Sequence, residues 1–492
     1  DAWRTVGSAN NWPGMVVDAK RGVVYVPTGS PVSDFYGADR IGNALYGDTL
    51  LALDANTGKR LWHFQGVHHD VWDRDFPSPP VLLTLHKDGR EVDALAQTTK
   101  QGYLYVFDRV TGKSLFPIEE RPYPASNVPG EQTSPTQPFP TLPEPFARQK
   151  LTADMLTQRT VTAHQQALQQ FQEFRSDGQF VPFSVDKQTV VFPGFDGGAE
   201  WGGPAVDPKT GVLYVNANDV PWTGGLTENR AAASPGAEIY QTFCASCHGD
   251  ERRGSPPAFP TLVGIQERLS DAQILAIIHN GRGRMPSFPS LSDNRLDLLL
   301  AYLKTEPQEV PRAGASVVSA PAVTDAHGSS PATAPGKEEL ASQEGDGLRA
   351  RYRFTGYRRF QDGDGYPAVV PPWGTLNAID LSTGKYLWKI PLGEYPELAA
   401  QGLKTTGTEN YGGPVVTAGG ILFIGATMFD DKIRAFDSHT GELLWEYKLP
   451  YAGVATPAVY MVNGKEYVVI AASGGRNPKE AAGGDYVAFA LP

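Results

Sequence analysis

Cysteine is nearly absent from the 492 residues: there are two, Cys244 and Cys247. A secreted scaffold stapled by disulfides is thereby excluded, and two thiols three positions apart ask for a chemistry of their own. Long apolar runs are missing too. The longest candidates, such as residues 298–303, fall far short of the ~18–20 residues that span a bilayer. Positive charge is in deficit, with 43 Lys and Arg against 54 Asp and Glu and a formal net charge of −11. With no long basic run, neither nucleic acid nor an anionic membrane is expected as main partner. Wholesale disorder is excluded by 40% hydrophobic and 10% aromatic residues, which supply a large core. Initiator Met and signal peptide are both lacking. The chain opens at Asp1 in strand-like sequence, which reads as a processed or truncated front end.

What is abundant is turn chemistry. The 53 Gly and 41 Pro are well above the usual combined share of roughly 12% and favour many short strands. An eleven-residue phrase, Ala-x-Asp-x-x-Thr-Gly-x-x-x-Trp, recurs at residues 52–62, 378–388 and 435–445. A variant at 106–116 ends in Phe116. Each copy reads as a strand, an Asp-organised turn with Gly at positive φ, and a second strand whose aromatic packs between neighbouring sheets. The spacing suits one four-stranded propeller blade. Residues 17–26 and 206–215 read as opening hairpins of other blades.

The repeats are interrupted. Residues 223–235 and 306–351 are small and polar, rich in Ala, Pro, Ser and Gly, and read as linkers. Between them, residues 236–305 carry helical spacing at 237–246, 270–280 and 292–304. They form a small all-α domain inserted in a propeller loop, between a first propeller part (1–222) and a second (352–492). The nine prolines of 117–145 predict an extended excursion, and 152–175 a helical decoration.

Cys244-Ala245-Ser246-Cys247-His248 is the Cys-x-x-Cys-His attachment signature of haem c. Two thiols one helical turn apart reach both vinyl groups, while His248 meets the iron. Met285, one of five Met, is the candidate sixth ligand, which would raise the reduction potential. A dithiol redox pair or half a zinc site would need a βαβ context or a second Cys pair, and neither is present. Residues 236–305 resemble a class I cytochrome c, whose role is to carry single electrons.

Around this insertion lie further phrases: Val67-His68-His69-Asp70-Val71-Trp72-Asp73-Arg74-Asp75, Thr99-Lys100-Gln101-Gly102, Ser134-Pro135-Thr136-Gln137-Pro138-Phe139, Phe192-Pro193-Gly194 and Glu200-Trp201-Gly202-Gly203. Together they resemble the pyrroloquinoline-quinone (PQQ) dehydrogenases, in particular their membrane glucose dehydrogenase branch. The resemblance implies an eight-bladed β-propeller fold, here partial, with a cytochrome domain inserted. It implies that Asp73 is the general base, that Lys100 touches the quinone carbonyls, and that Trp12 is the floor on which the cofactor stacks. A carboxylate can take a hydroxyl proton as hydride leaves carbon, and a cation can polarise the accepting oxygen. Asp70 or Asp75 are the alternative bases. Trp201 and Asn410 are candidate pocket residues, and His68 and His69 are expected in hydrogen bonds behind the site, not as metal ligands.

Three features depart from the family pattern. The haem domain lies between blades instead of at the C-terminus. Phe195 stands where glucose enzymes often have Asn. About half of an eight-bladed propeller is unaccounted for, and the Ca²⁺ or Mg²⁺ ligands of the family are expected upstream of Trp12. A chain limited to these residues is expected to bind haem yet turn over little. The adjacent-cysteine disulfide of the alcohol-oxidising branch is absent too. The reading is a periplasmic quinohaemoprotein that oxidises a sugar or polyol and hands electrons to a cytochrome or quinone-pool acceptor. The alternatives are an alcohol-oxidising quinoprotein, or a non-catalytic propeller with a cytochrome relay.

Overall fold

The computed structural model describes residues 9–229, 232–256, 259–282, 285–305, 351–474 and 483–490. The linker expected at 306–351 falls outside them except for Arg351. Among the described residues, five of the eight antiparallel sheets succeed one another along the chain as blades. The first runs in order through Val16–Asp18, Val23–Pro27, Thr49–Asp54 and Arg60–Gln65. The second has Val81–Lys87, Arg90–Thr98 and Leu104–Asp108, with Ser114 bridging back to Phe107 in the fourth position. The fourth sheet is Val415–Val416, Ile421–Ile424, Lys432–Asp437 and Leu443–Lys448; the fifth is Ala458–Val462, Lys465–Ala472 and Asp485–Ala490.

The third sheet corrects one expectation. Its strands are Ala205–Asp207, Val212–Asn218, Gly374–Asp380 and Lys385–Pro391, with Val212 opposite Asp380 and Asn218 opposite Gly374. The helical insertion therefore lies inside one blade, between its second and third strands, and not between blades. Loop-closure cost rises only slowly with length, so a sheet tolerates so long an excursion. The supposed linker at 223–235 is also partly strand. Trp222–Gly224 pairs with Arg358–Arg359, and Leu226–Glu228 with Tyr352–Phe354. The proline-rich excursion contains the hairpin of Ile118–Pro122 with Thr136–Pro140, and the decoration after it the helix Val161–Gln172.

The repeated phrase does what its chemistry dictates. In the first copy the Asp54 carboxylate accepts the backbone N–H of Asn56 and Thr57 at 3.0 and 2.8 Å. Asp108 and Asp437 repeat this in their own turns. The closing Trp then docks on the next blade. Trp62 donates its indole N–H to Arg109 O at 3.1 Å, and Trp388 to Ser438 O at 3.0 Å. Each ring lies over a positive-φ glycine: a Cβ on Gly112 would come within 2.7 Å of Trp62, and one on Gly441 within 2.9 Å of Trp388. Phe116 lies over Gly384 in the same way. Only glycine permits both that backbone and that approach. Trp445 packs edge-on against Phe489 and is left 37% exposed.

Successive connections in such a sheet alternate between its two ends. The Asp-organised turns occupy one end. The connections between second and third strands, and those between sheets, occupy the other. Residues 66–80, 99–103, 192–204 and the whole insertion 219–373 belong to that second end. The insertion is built on the helices Pro235–Phe243, Ala245–His248, Asp271–Asn280 and Asp293–Leu303. Ser234 and Ser270 cap two of them, Ser270 in a full capping box. Ile239, Tyr240, Ile274, Ile278, Leu299 and Leu303 form their core. Among the described residues no helix is long and apolar enough to cross a membrane.

Candidate active site

The 67–75 loop is organised by Asp70, which is fully buried. Its carboxylate accepts the backbone N–H groups of Trp72 and Arg74, both at 2.8 Å, and the Ser30 hydroxyl at 2.5 Å. Phrases far apart in sequence converge on this loop. Gln137 exchanges two hydrogen bonds with the His68 backbone, at 2.7 and 2.8 Å. Arg74 donates to the carbonyls of Pro193 and Gly194. Burial lowers the Arg74 pKa to about 10, and the two carbonyls satisfy its donors. Asp73 adopts φ of 57°, a left-handed conformation, within this loop.

Asp73 and Lys100 meet. Lys100 Nζ lies 2.8 Å from Asp73 Oδ1 and 2.7 Å from Asp75 Oδ1. Asp75 also accepts the Trp12 indole N–H at 2.5 Å, and the Lys100 ammonium stands 5.9 Å from the centre of that ring. Burial works against the Lys100 charge, yet the two carboxylates outweigh it and hold its pKa above the usual lysine value. Burial pushes Asp73 well above the usual carboxylate range, opposed by the Lys100 charge. Of the three aspartates, Asp73 alone lines the neighbouring cavity of about 270 Å³. Asp70 is committed to the loop, and Asp75 to Trp12 and Lys100.

The cavity wall is aromatic: Trp12, Phe195, Trp201, Trp222, Phe259 and Tyr357, with Asp196 and Glu200 beside them. Trp12 is 45% exposed, an unusual state for an indole whose N–H is engaged, and it offers a flat face. A planar conjugated ring with carbonyl oxygens at its edge fits this donor set, the indole beneath and a cation at the side. Trp222, Phe259 and Tyr357 were missed in the sequence. They come from the inserted connection, where no repeat or motif flags them. Asn410 is corrected. It does not line the cavity, and its amide is spent on Asn216 at 2.6 Å and on the carbonyls of Ala217 and Thr408.

His68 and His69 sit behind the site. His68 bonds Gln65 and Glu120, and His69 bonds Gly42 O at 2.6 Å and Glu131 at 2.8 Å. Among the described residues no group of three or more His, Cys, Asp or Glu is arranged to hold a metal ion. The calcium or magnesium ion that the family implies therefore has no ligand set among the described residues.

In the helical domain His248 is buried, and its Nδ1 lies 2.9 Å from Pro260 O. That contact fixes the tautomer and leaves Nε2 to face a ligand. Burial lowers the His248 pKa, with the Pro260 bond opposing, so the ring is neutral as iron ligation requires. Burial and the neighbouring Cys247 push the Cys244 thiol up to about 12. Cys244, Met285, Phe243, Leu262 and Phe288 pack on one apolar cluster. The Met285 loop is pinned by reciprocal backbone bonds with Arg282, both at 3.0 Å. Two thiols, a neutral imidazole and a thioether on an apolar wall suit a haem.

Residues 1–260 and 307–468 match the PQQ-type glucose/ethanol/alcohol dehydrogenase β-propeller domain, and residues 231–303 match cytochrome c oxidase, cbb3-type, subunit III. The glycerol dehydrogenase large subunit of Gluconobacter oxydans (strain 621H) is 32% identical over 99% of this chain and 54% of its own length. The quinoprotein glucose dehydrogenase of Escherichia coli (strain K12) is 30% identical over 99% of this chain and 50% of its own. The chain thus spans about half the length of the curated relatives it matches. A solved quinohemoprotein alcohol dehydrogenase from Comamonas testosteroni superposes with a TM-score of 0.51 at 20% identity, covering 98% of this chain and 48% of that one. That last likeness concerns the fold.

Proposed function

The chain belongs to the PQQ glucose/ethanol/alcohol dehydrogenase β-propeller family, and from that premise we propose that it oxidises the CH–OH group of a sugar or polyol and passes the electrons singly to a haem c on its helical insertion. The observation that carries this reading is the Asp73–Lys100 pair, 2.8 Å apart on the wall of an aromatic cavity. PQQ, when bound, supplies the two-electron acceptor for the substrate's hydrogen. Asp73 takes the hydroxyl proton at its carboxylate. Lys100 keeps a positive charge where negative charge develops on the acceptor edge. Trp12 supports the ring from one face, and Asp75 holds the indole in place. Trp201 and Trp222 exclude water from the reacting atoms.

Residues 236–305 serve as the haem-carrying unit between propeller segments 1–222 and 352–492. Cys244 and Cys247 form its thioethers, and His248 and Met285 would ligate its iron. The sugar or polyol class draws on the relatives named for glycerol and glucose. Phe195 on the cavity wall favours a second reading, a less polar alcohol. Covalent haem c supports a periplasmic location, with a cytochrome or the quinone pool as the proposed acceptor. The test is to reconstitute the haem-loaded chain with PQQ and a divalent metal and follow the haem bands as glucose, polyols and simple alcohols are added. Reduction by sugars or polyols is the expected result, and reduction by simple alcohols alone would select the second reading. Haem that stays ferric with every class would sink the enzyme and leave a relay.

A further inference from the structure

Tyr357 belongs to two cavities at once. It lines the one bounded by Trp12, Asp73 and Lys100, and also a second, of about 240 Å³, that opens on Cys247 and Gly249 of the haem-attachment turn. Among the described residues it is the one common to both linings. Its backbone N–H donates to Ser246 O, within the Cys-x-x-Cys-His turn, at 3.2 Å. The preceding Gly356, at φ of 105°, brings the strand end against that turn: a Cβ there would meet the Ala245 and Ser246 carbonyls at 3.4 Å. Phe259, from the helical domain, stacks on the Tyr357 ring at 5.6 Å and 22°. Trp222 meets Phe259 edge-on at 6.2 Å. The two units are also clamped by the Arg359 N–H on Ser255 Oγ at 2.8 Å and by the Arg353–Asp250 ion pair.

We propose that Tyr357, backed by Phe259, is the wall through which electrons cross from the quinone cavity to the haem attached at Cys247. The inference rests on the quinone reading above and adds a route to it. Electronic coupling falls steeply across empty space and less steeply through packed atoms, and a ring in contact with both cavities replaces a gap. Oxidising one CH–OH to C=O releases two electrons and two protons. Ferric haem takes one electron and becomes ferrous, so the wall is crossed twice. A one-electron acceptor outside the protein reoxidises the iron in between, and both protons leave to solvent, the hydroxyl proton by way of Asp73. Tyr357 is a medium and is not itself oxidised. Burial, with Asp73 and Asp34 nearby, pushes its hydroxyl pKa far up and keeps it protonated.

The test mixes the full chain, haem attached and ferric, with chemically reduced PQQ under anaerobic conditions and follows haem absorption by stopped flow. No substrate turnover is needed. The wild-type rate should saturate with donor concentration. Tyr357→Leu should lower the saturated rate severalfold, because the ring that fills the gap between the cavities is lost. The haem reduction potential should stay in place. Tyr357→Phe keeps the ring and should restore the rate; a rate as low as the Leu variant's would overturn the wall and put the hydroxyl in the path. If Tyr357→Leu fails to fold, Phe259→Leu carries the test with a smaller expected fall. An undiminished saturated rate in the ring-removing variant overturns the route. A wild-type rate that never saturates overturns the quinone-cavity reading itself, so the two failures are told apart.

Discussion

The two ends of the sheets are built by opposite rules. At one end the same turn recurs: Asp54, Asp108, Asp380 and Asp437 each gather backbone N–H groups, and in the first three copies an aromatic docks on the next blade's glycine. At the other end nothing repeats. Trp12 precedes the first strand, Asp73 lies between sheets, Lys100 sits in a strand-to-strand connection, and Tyr357 lies within a long excursion. The repeated end holds the blades together, and the irregular end is freed to hold chemistry. Damage to one end should therefore read out as stability, and damage to the other as activity.

The sharpest break in that contrast is Asp73→Asn. It removes the base and keeps its volume, so kcat/KM for PQQ-dependent oxidation should fall about 10²–10⁴-fold, with little change in the thermal midpoint. Next is Lys100→Met. Its ammonium opposes the upward push that burial exerts on Asp73, so removing it raises the Asp73 pKa further. The base works only when deprotonated, and the acid limb of the kcat/KM profile should move to higher pH. A limb that stays in place or moves down would contradict the pairing. At the repeated end, Trp388→Ala should cost about 2–3 kcal/mol of unfolding free energy, as for a half-buried indole, measured by urea titration with haem attachment intact. Trp445→Ala is the smallest effect. Its ring is 37% exposed and docks on no glycine turn, so the loss should be under about 1 kcal/mol.

The same contrast explains what could be read in advance. The blade phrase was legible because one physical problem, turning a strand and covering the next sheet, is solved with the same residues each time. Cys244, Cys247 and His248 were legible because haem attachment dictates spacing. Asp73, Lys100 and Trp12 came from resemblance, and the fold brings them to one cavity wall. The split blade was hidden because the phrase marks only third and fourth strands, and nothing in it names the hairpin at 206–215 as their partner. Tyr357 and Phe259 carried no signal at all. Their role comes from contact between two units, which neither period nor motif encodes. Asn410 misled for a related reason, since a buried amide that serves the backbone looks in sequence like one that serves a ligand.

The most direct measurement is a crystal structure of the haem-loaded protein soaked with PQQ. The account predicts flat density against the Trp12 indole, with Lys100 Nζ at its edge and Asp73 facing the open side. Density bound elsewhere, or a cavity left without the cofactor at saturating PQQ, would contradict it.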